Sequence, residues 1–146
     1  MRNGVFTVYQ GIHLPINTIR DNEQEVFIRF EGMECPFVDF QRSKHEDNVF
    51  LKRIKISEIN ETYEVKTYGI YKGYKFQIFK SNDSDDLFIG ISNEEAHHKL
   101  KLFGDSDWAY RNVRKTEIDK VWEERLASAF GKSMPKELKE IEEINL

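Results

Sequence analysis

The chain has 146 residues, with 22 Lys or Arg against 26 Asp or Glu and a net charge of −4. That length suits one compact domain or two very small units sharing a core, and a hydrophobic fraction of 39% with 11 Phe and 6 Tyr excludes a disordered chain. The mildly acidic balance argues against the basic face of a nucleic-acid binder, and no apolar run reaches the length of a membrane helix. The single cysteine, Cys35, has no partner for an intramolecular disulfide, and the first residues lack the pattern of a signal peptide, so a cytoplasmic protein is expected.

In chain order, Val8-Tyr9-Gln10-Gly11-Ile12 opens a stretch in which Ile12, Leu14 and Ile16 alternate. After the polar Arg20-Asp21-Asn22-Glu23 the alternation resumes at Val26, Ile28 and Phe30, the pattern of a half-buried β-hairpin. A third strand is expected at Pro36 to Gln41 and a fourth at Leu51 to Lys55. Ser57-Glu58-Ile59 then predicts a capped turn of helix, because a hydroxyl at the first position can accept a backbone N–H. Glu64-Val65-Lys66-Thr67-Tyr68 is rich in β-branched and aromatic residues and leads as a strand into Tyr71.

There the pattern starts again. Ile70-Tyr71-Lys72-Gly73-Tyr74 repeats the Tyr-x-Gly motif 62 positions on, and Thr116-Glu117-Ile118 repeats Ser57-Glu58-Ile59 at a displacement of 59. Between them Tyr74, Phe76 and Ile78 alternate, Ser81 to Asp85 supplies a turn, and Leu87, Ile89 and Ile91 return. Lys99 to Phe103 is a third strand, and Tyr110-Arg111-Asn112-Val113-Arg114 matches Leu51 to Lys55 as the fourth, with apolar and basic positions in step. Beyond it, Ile118, Val121, Trp122, Arg125, Leu126 and Ala129 fall at helical spacings, Gly131 stops the helix, and Pro135 opens a second one striped by Leu138, Ile141 and Ile144.

A period near sixty predicts two similar supersecondary units. The expected fold is mainly β, in the α+β class: two tandem SH3-like or Tudor-like antiparallel β-units with pseudo-twofold similarity, residues 5–65 and 67–125. They form a single domain over 1–146, closed by a C-terminal helical tail at 126–146. The SH3-like comparison concerns fold and carries no function.

No catalytic, metal or cofactor residue is expected. His97 and His98 follow Glu94 and Glu95, but adjacent histidines point apart on helix and strand alike, and a solvated loop is the expectation there. Cys35 sits beside Glu34, which opposes thiolate formation, and is read as structural. The Tyr-x-Gly motifs read as hairpin starts, since a binding site has no need to recur in the same context. Three features remain as candidates for binding a partner: the acidic tip Asp83, Asp85 and Asp86, the pair Glu94 and Glu95, and Trp108 behind the polar Gly104-Asp105-Ser106-Asp107. Turn chemistry and solvation explain most of the acidic tip, and a core-capping role accounts equally for Trp108.

At its two repeat motifs, Tyr-x-Gly before an alternating hairpin and Ser/Thr-Glu-Ile before Tyr/Trp-Glu, the chain resembles small cytoplasmic proteins of Gram-positive bacteria. These include immunity proteins that neutralise polymorphic toxins, and the resemblance spans residues 5 to 125. It implies a protein without chemistry of its own that docks on a cognate, basic toxin domain and blocks its active site. It transfers no site residues, because such interfaces differ from pair to pair. A Tudor-like or SH3-like peptide-binding adaptor is the competing expectation and requires an exposed aromatic groove. Open edge strands leave a homodimer available.

Overall fold

In the computed structural model, which describes residues 1–81 and 85–146, the alternating segments form hairpins at the expected places. Strands β1 (Gly4–Tyr9) and β2 (Ile12–Ile19) pair antiparallel, with Tyr9 opposite Ile12 across a two-residue turn. Gln10 and Gly11 both have positive φ, 49° and 81°, the type I′ geometry whose twist matches the strands it joins. β2 pairs with β3 (Asn22–Glu31), which in turn pairs with β5 (Val49–Lys55). Between them, β4 (Gln41–Arg42) is only a two-residue strand on the outer side of β5. Residues 36 to 40, expected as strand, are irregular instead: Phe37 and Phe40 stack at 4.8 Å and turn inward against Tyr9, which strand alternation would forbid.

After β5 a single 3-10 turn spans Ile56–Glu58, and β6 (Thr62–Tyr71) follows. β6 pairs with β7 (Tyr74–Lys80) through Tyr71 opposite Tyr74, and Lys72 and Gly73 repeat the two positive φ angles, 50° and 84°. β7 pairs with β8 (Leu87–Ile91), and β8 with β10 (Ala109–Val113), while β9 (Phe103–Gly104) is another two-residue strand on the far side of β10. A second 3-10 turn, Lys115–Glu117, occupies the position of the first. Ser57 and Thr116 lie inside these turns and do not cap them. The flanking positions are Lys55 and Arg114, and Arg114 N–H donates to Glu117 at 2.8 Å.

Two stretches expected otherwise differ in kind. Glu94–Lys99 is a short helix, α1, not a loop: Asn93 accepts from Ala96 N–H at 2.9 Å and Ala96 is buried. The helix expected from Ile118 onward is a strand, β11 (Val121–Leu126), which pairs with β6 and with β12 (Ile141–Glu143). Its buried positions are Val121, Glu123 and Arg125, a period of two. Two of those are charged, and they are buried because they bond each other at 2.8 Å, so an apolar count sees only the wrong spacing. After β11 the described chain forms no helix.

The fold is thus mainly β and antiparallel, with twelve strands among the described residues. It divides into two compact units, Gly4–Glu64 with Leu126–Leu138, and Val65–Arg125 with Met1–Asn3 and Lys139–Leu146. In the first, Leu14, Ile28, Phe37 and Phe40 form one core cluster and Ile16, Val26 and Ile59 another. In the second, Tyr71, Phe76, Ile78, Leu87, Ile89, Leu102, Val113, Ile118 and Val121 pack together with Ala96 of α1. Among the described residues no helix is long and apolar enough to cross a membrane.

Candidate functional site

Strand alternation in the second unit sends Phe76, Ile78, Leu87 and Ile89 into the core, so their neighbours must face outward. Those neighbours are aromatic. Phe79 lies directly opposite Phe88, with ring centroids 6.1 Å apart, and Phe88 approaches Tyr110 of β10 at 5.4 Å. Tyr110 in turn stacks on Phe103 of β9 at 6.1 Å, and Trp108 meets Phe79 edge-on at 6.3 Å. Phe103 remains 66% exposed and Trp108 38%. Four rings from four strands, with Trp108 from the loop before β10, thus form one partly solvated aromatic face.

Trp108 is held in place on three sides. Its indole lies on Gly90 of β8, where an added Cβ would come within 2.0 Å of Cζ2. The Asp105 carboxylate accepts the Trp108 backbone N–H at 3.1 Å and that of Asp107 at 2.9 Å, and Asp105 N–H donates back to the Trp108 carbonyl at 3.2 Å. Gly104, at φ 81°, permits that tight return. A large ring fixed before a partner arrives loses little entropy on binding, which is what an interface anchor requires.

On the same outward face, β11 brings Trp122 beside Tyr68 of β6, ring centroids 6.3 Å apart. Lys75 Nζ stands 4.2 Å from the Tyr68 centroid and 5.8 Å from that of Trp122, and pairs with Glu124 at 2.8 Å. The Trp122 indole N–H donates to the same carboxylate oxygen at 2.8 Å. Partial burial pushes the Glu124 carboxyl up, but the Lys75 and Trp122 bonds outweigh it and hold the group below its ordinary range.

The residues expected from sequence lie in three separate places. Asp83 falls outside the described residues. Asp85 and Asp86 are exposed just before β8 and border a shallow pocket of 350 Å³ with Lys80, Ser81, Lys115 and the C-terminal Leu146. Val113 pairs with Leu87 beside that tip, whereas Ala109, next to Trp108, pairs with Ile91, so the tip and the tryptophan sit at opposite ends of β8, about 13 Å apart along the strand. Glu94 and Glu95 occupy the first turn of α1, on the core side of the sheet. There Glu95 accepts the Tyr74 hydroxyl at 2.8 Å, and Glu94 stands 3.9 Å from His98. Of the five that are described, only Trp108 belongs to the aromatic face.

Phe79, Phe88, Phe103 and Tyr110 were not singled out in the sequence. A signal was there: aromatics at Phe79, Phe88 and Tyr110 sit one residue out of step with Ile78, Leu87 and Ala109, and a half-buried sheet keeps that parity polar. Among the described residues no three His, Cys, Asp or Glu side chains converge as a metal site.

In the first unit one charged constellation is Tyr9, Asp39 and Lys52. The Tyr9 hydroxyl donates to Asp39 at 2.6 Å and the Lys52 ammonium pairs with the same oxygen. The Lys52 bond, then the Tyr9 bond, lower the Asp39 carboxyl, while the bond to Asp39 raises both the Tyr9 hydroxyl and the Lys52 ammonium. Each group is therefore held in the protonation state it has at neutral pH, an arrangement suited to anchoring the loop after β3 rather than to moving a proton.

No curated protein and no solved structure matches the chain. A family model described as "Uncharacterised conserved protein UCP033725" matches residues 1–129, and the chain belongs to that family.

Proposed function

We propose that the chain is a non-catalytic binding protein, an immunity protein that docks on a cognate bacterial toxin in the cytoplasm and neutralises it. The observation that carries this reading is the fixed aromatic face of Phe79, Phe88, Trp108, Tyr110 and Phe103, with Trp108 seated on Gly90. Aromatic anchors of this kind dominate protein interfaces, and a net charge of −4 favours a basic partner. The test is co-expression with the product of the adjacent gene as the candidate toxin. Protection of the cells and a complex on gel filtration are expected, and Trp108→Ala should weaken that complex by ~2 kcal/mol, about thirtyfold. Absence of both protection and complex would sink the toxin reading, and unchanged affinity in Trp108→Ala would remove the face from the interface.

A peptide-binding adaptor is the second reading, favoured by a specific observation. Each sequence repeat runs through antiparallel strands, a single 3-10 turn and a further strand, an order compatible with the proposed SH3-like unit, and aromatic side chains remain outside the core. An adaptor binds a short unfolded peptide as well as the protein that contains it, whereas an immunity protein needs the folded toxin.

A further inference from the structure

We propose that Tyr68, Trp122 and Glu124 form an ammonium-binding site which Lys75 fills from within the chain, and that a lysine side chain of a basic protein partner takes its place. The identity of the occupant rests on the partner being a basic protein, as proposed above; the site itself does not.

The groups come from three strands: Tyr68 from β6, Lys75 from β7, and Trp122 and Glu124 from β11. Two π faces lie within 4.2 and 5.8 Å of one ammonium, and a carboxylate takes it at 2.8 Å. Faces of Tyr and Trp attract cations through their ring quadrupoles, and a charge-assisted bond to a carboxylate adds direction. The carboxylate is pre-aimed, because the Trp122 indole N–H holds the oxygen that Lys75 uses. A built ammonium site thus has its three elements in place.

Lys75 is a removable occupant. Its side chain is 49% exposed against 26% for Glu124 and reaches the rings on a flexible stem, so the ammonium can leave for solvent while the carboxylate stays in place. Lys75, Gln77 and Phe79 share one face of β7 by alternation, so the site continues the aromatic face onto which the partner is proposed to dock. A partner lysine entering there exchanges one ammonium for another and leaves no carboxylate unpaired, whereas an acidic or apolar residue would strand Glu124.

The experiment follows the Trp122 indole N–H resonance of the full chain while tetramethylammonium chloride or N-acetyl-lysine amide is added. Lys75→Ala should show a saturable shift with apparent affinity about fivefold or more above wild type, and Lys75→Ala with Glu124→Gln should lose it. Lys75→Met keeps the apolar stem without the charge and serves if the alanine variant does not fold. Equal titration of wild type and both Lys75 variants, or a shift indifferent to Glu124→Gln, would overturn the site and leave Lys75 as a structural ion pair. Because these probes need no toxin, a negative titration is distinguishable from failure of the immunity reading, which the co-expression test of protection and complex formation measures.

Discussion

Arg111 donates to the buried Tyr71 hydroxyl at 3.1 Å, and at the equivalent place in the first unit Lys52 stands over the Tyr9 ring at 5.6 Å. Both tyrosines come from the Tyr-x-Gly motif and both cations from the fourth strand of their repeat, so two motifs far apart in sequence meet as one device, used twice. The surroundings differ. Arg111 also donates to the carbonyls of Leu100 and Lys101, at 2.6 and 3.2 Å, whereas Lys52 uses the Asp39 carboxylate, which is exposed to solvent.

That difference predicts unequal costs. Tyr71→Phe takes the buried hydroxyl away from a half-buried guanidinium N–H and should destabilise by ~1–3 kcal/mol. Tyr9→Phe removes a hydroxyl from a solvated carboxylate that keeps Lys52, and should cost ~0.5 kcal/mol or less. Urea denaturation of the two variants measures the gap, and equal values would show that the pair is not ranked by burial.

Gly90 and Trp108 should be coupled. An added methyl at Gly90 meets the indole at 2.0 Å, so Gly90→Ala must lift Trp108 off the sheet, at a cost of ~1–3 kcal/mol. With Trp108→Ala already present, Gly90→Ala should cost well under 1 kcal/mol, because its obstacle is gone. A double-mutant cycle by thermal unfolding gives the coupling directly; additive effects would mean that the indole does not rest there.

How far the sequence discloses this molecule depends on which property places each residue. Hairpins were legible because Leu14, Ile16, Val26, Ile28, Phe76, Ile78, Leu87 and Ile89 are apolar at period two and are buried. The Tyr-x-Gly motifs were legible only as hairpin starts; with Gly11 and Gly73 at positive φ they are themselves the β1–β2 and β6–β7 turns. β11 was not, since two of the three residues on its buried face are Glu123 and Arg125, which pair with each other, and Glu123 also takes a bond from Arg2, 121 positions away. The aromatic face was hidden for a related reason: Phe79 and Phe88 look like core, and only the cross-strand register shows them pointing away from it. Trp108 alone was marked in advance, by its polar neighbours.

Asn3 shows the same dependence on distant groups. Its side chain fills the gap beyond the last β6–β7 pair, Tyr68 with Gln77, donating to the Ile78 carbonyl at 2.7 Å and accepting the Thr67 N–H at 2.9 Å. Asn3→Leu leaves both backbone groups without that partner and should cost ~1–3 kcal/mol. The sharper readout is local: hydrogen exchange at the Thr67 amide should accelerate in Asn3→Leu more than at Tyr68, and a uniform change would contradict the bridge.

Glu123 should set part of the acid sensitivity. Burial raises its carboxyl, but the bonds from Arg2 and Arg125, at 3.1 and 2.8 Å, outweigh that and leave it below its ordinary value of 4.5. A carboxylate lowered in the folded state contributes stability that is fully present above the unfolded value and is lost as pH falls through the folded one. Stability should therefore decline below about pH 4.5, where the unfolded chain takes up this proton first. Glu123→Gln should be less stable at neutral pH, because Arg125 is buried against it, and its stability should fall less steeply with acid. Urea midpoints for both proteins between pH 7 and 3 give the two slopes; parallel curves would assign the acid sensitivity to other carboxylates.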